Sequence, residues 1–173
     1  MSGGLLLIPF FMIRFLLPSV LARGTLQRAA YFAPMTGKER IAYYIYQMSN
    51  MGMFLFLFFL KIKIDVSWQS YSGMFSYVFG LVLCAVTIVH FSSPDDHGFN
   101  RNGLYQWSRN PMYVAYFVCF IGMVLLTQSM ILMGLVMIFQ ISAHWIILAE
   151  ERWCIDQFGK DYIQYMEDVR RYF

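Results

Sequence analysis

Residues 109–151, RNPMYVAYFVCFIGMVLLTQSMILMGLVMIFQISAHWIILAEE, decide the fold of this chain. An apolar stretch opens on Arg109-Asn110-Pro111-Met112-Tyr113, breaks once at the uncharged Thr127-Gln128-Ser129, and closes on the carboxylate pair Glu150-Glu151. Asn110-Pro111 is a good helix start, because Asn can cap free amides and Pro at the first helical position loses no needed donor. The two arms, 111–127 and 130–149, are roughly 25 and 30 Å long at about 1.5 Å per residue, so they match in height. Antiparallel packing across the short turn then brings Arg109, Asn110 and Tyr113 level with Glu150 and Glu151.

Composition extends this reading outward. Of 173 residues, 59% are hydrophobic, 19% aromatic and only 13% charged, against roughly 25% charged in soluble domains. The apolar residues come in runs, not in the alternation a membrane barrel needs, so a single all-α domain over 1–173 is expected, a polytopic bundle of about five membrane helices. Spanning runs fall near 41–60, 74–91 and 130–149, with a shorter one at 112–126. The first run, 5–22, carries Pro9, Arg14 and Pro18, which a membrane helix tolerates where neighbours satisfy the freed carbonyls. It lacks the charged start and small-residue cleavage site of a signal peptide, and is expected to remain in the mature protein.

Arginine and lysine set the expected orientation. Arg23, Arg28, Lys38 and Arg40, then Arg101 and Arg109, then Arg152, Lys160, Arg170 and Arg171 mark the cytoplasmic side, whereas residues 61–73 hold only Lys61 and Lys63. Five spans place the N-terminus outside and the C-terminal tail in the cytoplasm; four would move the N-terminus but neither polar cluster. The net charge of +3 follows from this asymmetry, and no basic stripe suggests nucleic acid. Cys84, Cys119 and Cys154 lack C-x-x-C spacing, and His90, His97 and His144 lack metal-ligand spacing, so no metal is expected.

The converging cation, helix amino end and two carboxylates suit a small zwitterionic ligand: the arginine and helix start attract a carboxylate, the glutamates an ammonium or ribose hydroxyls. The same residues also serve as ordinary interface residues flanking membrane helices. Gln140, His144 and Glu151 share one helical face, which makes His144 either a proton acceptor beside the site or an interhelical hydrogen-bonding group. Arg14 snorkels, pairs, or belongs to an acceptor site. Met48 to Leu60 either lines a pliable lipophilic tunnel or packs as bundle core.

Four motifs in order carry a resemblance: Gly103-Leu104-Tyr105, Arg109-Asn110-Pro111-Met112-Tyr113, Glu150-Glu151 after the apolar hairpin, and Phe158-Gly159-Lys160-Asp161-Tyr162-Ile163-Gln164-Tyr165. Over residues 92–173 the chain resembles the isoprenylcysteine carboxyl methyltransferase and phospholipid methyltransferase superfamily. Its pattern is R-H-P-x-Y, a hydrophobic stretch and E-E, preceded by G-x-Y and followed by F-G-x-x-Y-x-x-Y. Asn110 departs from it where many members have histidine, Asn100 replaces an apolar residue, and Ala115 stands where glycine is common.

The resemblance implies an integral membrane methyltransferase that uses S-adenosylmethionine at the cytoplasmic face, with a lipophilic or small acceptor entering from the bilayer. Isoprenylated cysteine, an ethanolamine phospholipid and a thiol all fit as acceptors. By position, Arg109, Tyr113 and Glu151 look catalytic. His97, Phe99, Asn100, Gly103, Tyr105, Asn110, Tyr113, Glu150, Glu151, Phe158 and Tyr162 look cofactor-binding, with Gly103 allowing close approach of the backbone to the ligand. A nicotinamide-dependent sterol-reductase-like enzyme and a non-catalytic membrane scaffold are the alternatives. The membrane is a bacterial inner membrane or endoplasmic reticulum, and no strong G-x-x-x-G pair indicates an oligomer interface.

Overall fold

The computed structural model describes residues 1–21, 25–29, 31–93 and 98–172. His97, expected at the cofactor, lies outside these residues. The described chain folds as an all-α bundle: α1 (Gly3–Leu21), α2 (Thr25–Ala29), α3 (Lys38–Phe59), α4 (Trp68–Ser92), a 3-10 turn at Gly103–Gln106, α5 (Pro111–Thr127), α6 (Met130–Phe158) and α7 (Lys160–Asp168). Helices α1, α4 and α6 are long and apolar enough to cross a membrane, and α5 is a shorter apolar helix. This is a membrane protein by the length and composition of these helices.

Local chemistry explains the element ends. Within α1, residues Met12–Leu16 form a π-helical turn, which adapts the ladder just ahead of Pro18, a residue without an amide proton to give. At the start of α3, Glu39 accepts from the Thr36 amide at 3.0 Å while its own amide donates to the Thr36 carbonyl at 3.1 Å, so groups left over at the helix start find partners. Ser129 caps α6 by accepting from the Leu132 amide at 3.3 Å. The arm from Met130 runs on beyond Glu150-Glu151, two turns further than hydropathy alone suggests, and stops at Gly159. There φ is 58° and ψ −128°, a conformation that glycine tolerates, and the chain turns into α7.

Three backbone hydrogen bonds tie one end of the bundle: Gly3 to Leu60 at 2.7 Å, Ile62 to Met1 at 2.9 Å and Lys63 to Leu126 at 2.8 Å. The five long helices therefore alternate in direction, with α1, α4 and α6 running from that end toward the one that carries the sequence motifs. Helix α5 packs most extensively on α4 and α6 on α3, more than the two hairpin arms pack on each other. Glycine makes the first of these contacts close. A Cβ on Gly80 would lie 2.4 Å from the Cys119 amide nitrogen, and one on Gly122 would lie 2.3 Å from that of Tyr77.

The centre is aromatic. Phe10 of α1, Phe120 of α5 and Phe139 of α6 form a chain with ring separations of 5.2 and 5.4 Å, and Tyr46 of α3 stacks on Phe139 at 4.5 Å. Burying such rings supplies large apolar area together with specific geometry. The Met48–Leu60 run divides: Met53 and Leu57 are fully buried in this core, whereas Met48, Met51, Leu55, Phe58 and Phe59 face outward. A smaller second core, Phe99, Tyr162, Tyr165 and Val169, holds α7 across the motif end.

Candidate functional site

Helix ends converge on a cavity of about 550 Å³ at the motif end, within the range of sites for small molecules. Its wall is polar where Arg109, Asn110, Asn100, Glu150 and Glu151 meet, and aromatic where Phe32, Tyr46, Tyr113 and Tyr116 line it. Phe99, Phe158, Tyr162 and Tyr165 cover it from the side of α7, and Tyr105 stands beneath them.

The hairpin performs the juxtaposition expected of it. Tyr113, one turn into α5, donates its hydroxyl to Glu150 Oε1 at 3.0 Å. Arg109, just before α5, approaches Glu151 with Nη2 3.3 Å from Oε1, both side chains being less than a tenth exposed. Glu151 also accepts from Arg171, whose Nε lies 3.0 and 3.1 Å from the two carboxylate oxygens and whose Nη2 is 2.8 Å from Oε2. Glu151 in turn raises the pKa of the Arg171 guanidinium through these hydrogen bonds.

Several residues of the cavity wall carry polar atoms without a partner. Arg109 Nε and Nη1, Asn100 Oδ1 and the Tyr116 hydroxyl are buried and have no hydrogen-bond partner among the described residues. Buried polar groups are nearly always satisfied, so a cluster of exceptions lining one cavity marks a place for a polar ligand. Nε and Nη1 lie on different edges of the guanidinium, and each offers a charge-assisted hydrogen bond that suits one oxygen of a carboxylate. Asn100 Oδ1 accepts a hydrogen, as from an exocyclic amine or an ammonium. These groups, the cavity size and the aromatic cover fit a molecule that joins a heteroaromatic ring to an amino acid.

The phenols around the site are donors. Burial pushes the Tyr162 and Tyr165 hydroxyls well above their ordinary pKa, and the Tyr165 hydroxyl donates a hydrogen bond to the Tyr105 carbonyl at 2.6 Å. Phe99 anchors the cover, with ring centroids 5.1 Å from Phe158, 5.2 Å from Tyr162 and 5.5 Å from Tyr165.

Of the residues singled out from sequence, Phe99, Asn100, Tyr105, Arg109, Asn110, Tyr113, Glu150, Glu151, Phe158 and Tyr162 line this one cavity. Gly103 does not. Its positive φ of 59° brings it against His90, whose imidazole would lie 2.2 Å from a Cβ there, and His90 Nδ1 accepts from the Leu104 amide at 3.2 Å. The close approach Gly103 permits is to a histidine of α4. Asn110 is the residue before α5, yet its side chain does not cap that helix; Nδ2 donates to the Arg171 carbonyl at 3.2 Å. His144 lies away from the cavity wall, with Nδ1 2.8 Å from the Tyr172 hydroxyl.

Sequence reasoning missed Arg171 and Tyr172, although two adjacent arginines just past the Phe158–Tyr165 motif offered counter-charges for Glu150-Glu151. It also missed Phe32, Tyr46 and Tyr116, and it left Arg14 open. Arg14 does reach the cavity wall, its guanidinium carbon 5.7 Å from the Tyr116 ring centroid.

The family described as phospholipid methyltransferase matches residues 85–161. A protein-S-isoprenylcysteine O-methyltransferase of Xenopus laevis is 32% identical over 121 residues, 61% of this chain and 40% of that protein. A protein-S-isoprenylcysteine O-methyltransferase of Saccharomyces cerevisiae is 33% identical over 87 residues, 47% of this chain and 35% of that protein. The alignments thus span 40% and 35% of the length of these relatives. No solved structure matches the chain significantly.

Proposed function

We propose that this chain, which over residues 85–161 matches the phospholipid methyltransferase family and is similar to protein-S-isoprenylcysteine O-methyltransferases, is an integral membrane methyltransferase of that superfamily. It takes S-adenosylmethionine as methyl donor and passes the methyl group to a lipophilic or small acceptor. The observation that carries this reading is the pair of buried, unpartnered donors of Arg109 facing a cavity that also holds Glu150. Bound there, S-adenosylmethionine supplies a methyl group already activated by its sulfonium.

What remains for the protein is to bind, align and exclude water, gains of proximity and orientation. Arg109 holds the carboxylate of the donor through one of its unpartnered atoms, Nε or Nη1. Glu150, kept in place by the Tyr113 hydroxyl, faces the ammonium or the ribose hydroxyls. Asn100 accepts from the amine of the purine, while Phe99, Phe158 and Tyr162 close the site against water. The acceptor enters along the wall of Phe32, Tyr46, Met112 and Tyr116, which is continuous with the apolar interior. A carboxylate, an amine or a thiol on a lipophilic chain all suit this path. The excess of arginine and lysine at the motif end supports a site on the cytoplasmic face.

The test is titration of detergent-purified protein with S-adenosylhomocysteine, with NADPH in parallel and the E150A/E151A variant as control. Saturable binding of the adenosyl ligand alone, abolished in the variant, supports the reading. Binding of NADPH instead moves the chain to the reductases, and binding of neither leaves a scaffold.

A further inference from the structure

Glu151 is held from two sides, and the second side is the C-terminal tail. Arg171 engages both carboxylate oxygens at 2.8 to 3.1 Å, whereas Arg109 makes one longer approach at 3.3 Å. The backbone of the same tail fixes the segment that carries Arg109. The Arg170 carbonyl accepts from the Arg109 amide at 2.9 Å, and the Arg171 carbonyl accepts from the Ser108 hydroxyl at 3.3 Å and from Asn110 Nδ2 at 3.2 Å. Arg171 itself is outside the cavity wall and about one third exposed.

One carboxylate facing two guanidinium groups leaves one positive charge in excess. Because Arg171 takes the short, two-oxygen geometry, which is the stronger one, the excess falls on Arg109, a residue of the cavity wall. We propose that Arg171 is a positioning residue: by engaging Glu151 through both oxygens, it leaves the Arg109 donors unspent, so that one of Nε and Nη1 can meet the carboxylate of the methyl donor. Glu150, not Glu151, is then the acid that meets the ligand. This inference rests on the methyl-donor reading above. Without Arg171, Glu151 becomes a buried carboxylate with a single partner, and Arg109 turns its fork toward it, since an uncompensated buried charge is costly. The donors meant for the ligand are consumed.

The experiment compares two probes on the full-length protein: S-adenosylhomocysteine, and 5′-methylthioadenosine, which keeps the adenosine but lacks the amino-acid carboxylate. R171A should lose roughly tenfold or more in affinity for S-adenosylhomocysteine, the scale of one charge-assisted hydrogen bond. Affinity for 5′-methylthioadenosine should stay within about twofold, the measure of an intact adenosine site. R171K, which keeps a charge on Glu151 without the fork, should recover part of the loss. A parallel fall for both probes, or no fall for either, overturns the assignment. Should R171A fail to fold, R171K decides alone: a selective loss for the carboxylate-bearing probe supports the proposal, and equal shifts or none overturn it. If unmodified protein binds no S-adenosylhomocysteine, the methyl-donor reading fails first and takes this inference with it.

Discussion

Replacing Arg109 by lysine separates charge from geometry at the site. Arg109 Nη2 lies 3.3 Å from Glu151 Oε1, while Nε and Nη1 have no partner among the described residues. Lysine keeps one positive charge near Glu151 but has no planar fork. If one of these free atoms binds a ligand carboxylate, R109K removes a charge-assisted hydrogen bond of roughly 1.5–3 kcal/mol. The dissociation constant for S-adenosylhomocysteine should then rise by about tenfold to well over a hundredfold. Stability should respond far less, because Glu151 retains the shorter contacts to Arg171. A loss below about 1 kcal/mol, or about 2–4 °C in a chain of this size, is expected. Isothermal titration and a thermal melt of the same detergent preparation read the two quantities. Binding within twofold of wild type would refute the assignment of Arg109, and so would a loss of binding that merely tracks a collapse in melting temperature.

Three further outcomes follow from the packing and the charges. G80A should lower the melting temperature, since a Cβ 2.4 Å from the Cys119 backbone costs roughly 1–3 kcal/mol in overpacking against about 1 kcal/mol gained in helix propensity. G134A meets no neighbour within 4 Å and should raise the melting temperature through about 0.5–1 kcal/mol; equal shifts of the same sign would refute the account of the α4–α5 contact. The Arg152 guanidinium holds the Glu39 carboxyl down at about 2, from an ordinary value of 4.5. Because the folded value is the lower one, the pair's contribution is fully present above pH 4.5 and fades as pH falls toward 2. E39Q should therefore cost roughly 0.5–1 kcal/mol at pH 7, the scale of a partly exposed pair, and progressively less on acidification, which melts at several pH values will show or deny. F99A removes the ring that Phe158, Tyr162 and Tyr165 share, so hydrogen exchange in residues 160–168 should accelerate while α3 and α6 stay protected. Uniform acceleration through the bundle would show that the second core is not a separate cover.

The sequence by itself determined the helical class, the places of the long apolar helices and the meeting of Arg109 and Tyr113 with Glu150 and Glu151. Each of these follows from local properties: apolar run length, the Asn-Pro helix start, a short uncharged turn, and a rise per residue that makes two arms equal. The resemblance to the superfamily was legible for the same reason, because its motifs lie in order within residues 92–173. What only the tertiary structure decided depends on contacts between distant parts of the chain. Gly80 and Gly122 read as unremarkable residues until α4 and α5 approach, and Gly103 read as a ligand contact until His90 filled its space. His144 shared a helical face with Glu151, but a hydroxyl from Tyr172 took its ring nitrogen. The tail lies twenty residues beyond Glu151 along the chain, and neither periodicity nor hydropathy reports that Arg171 returns to it. Helix periodicity fixes which side a residue faces; which partner waits there is set by how the helices and the tail come together.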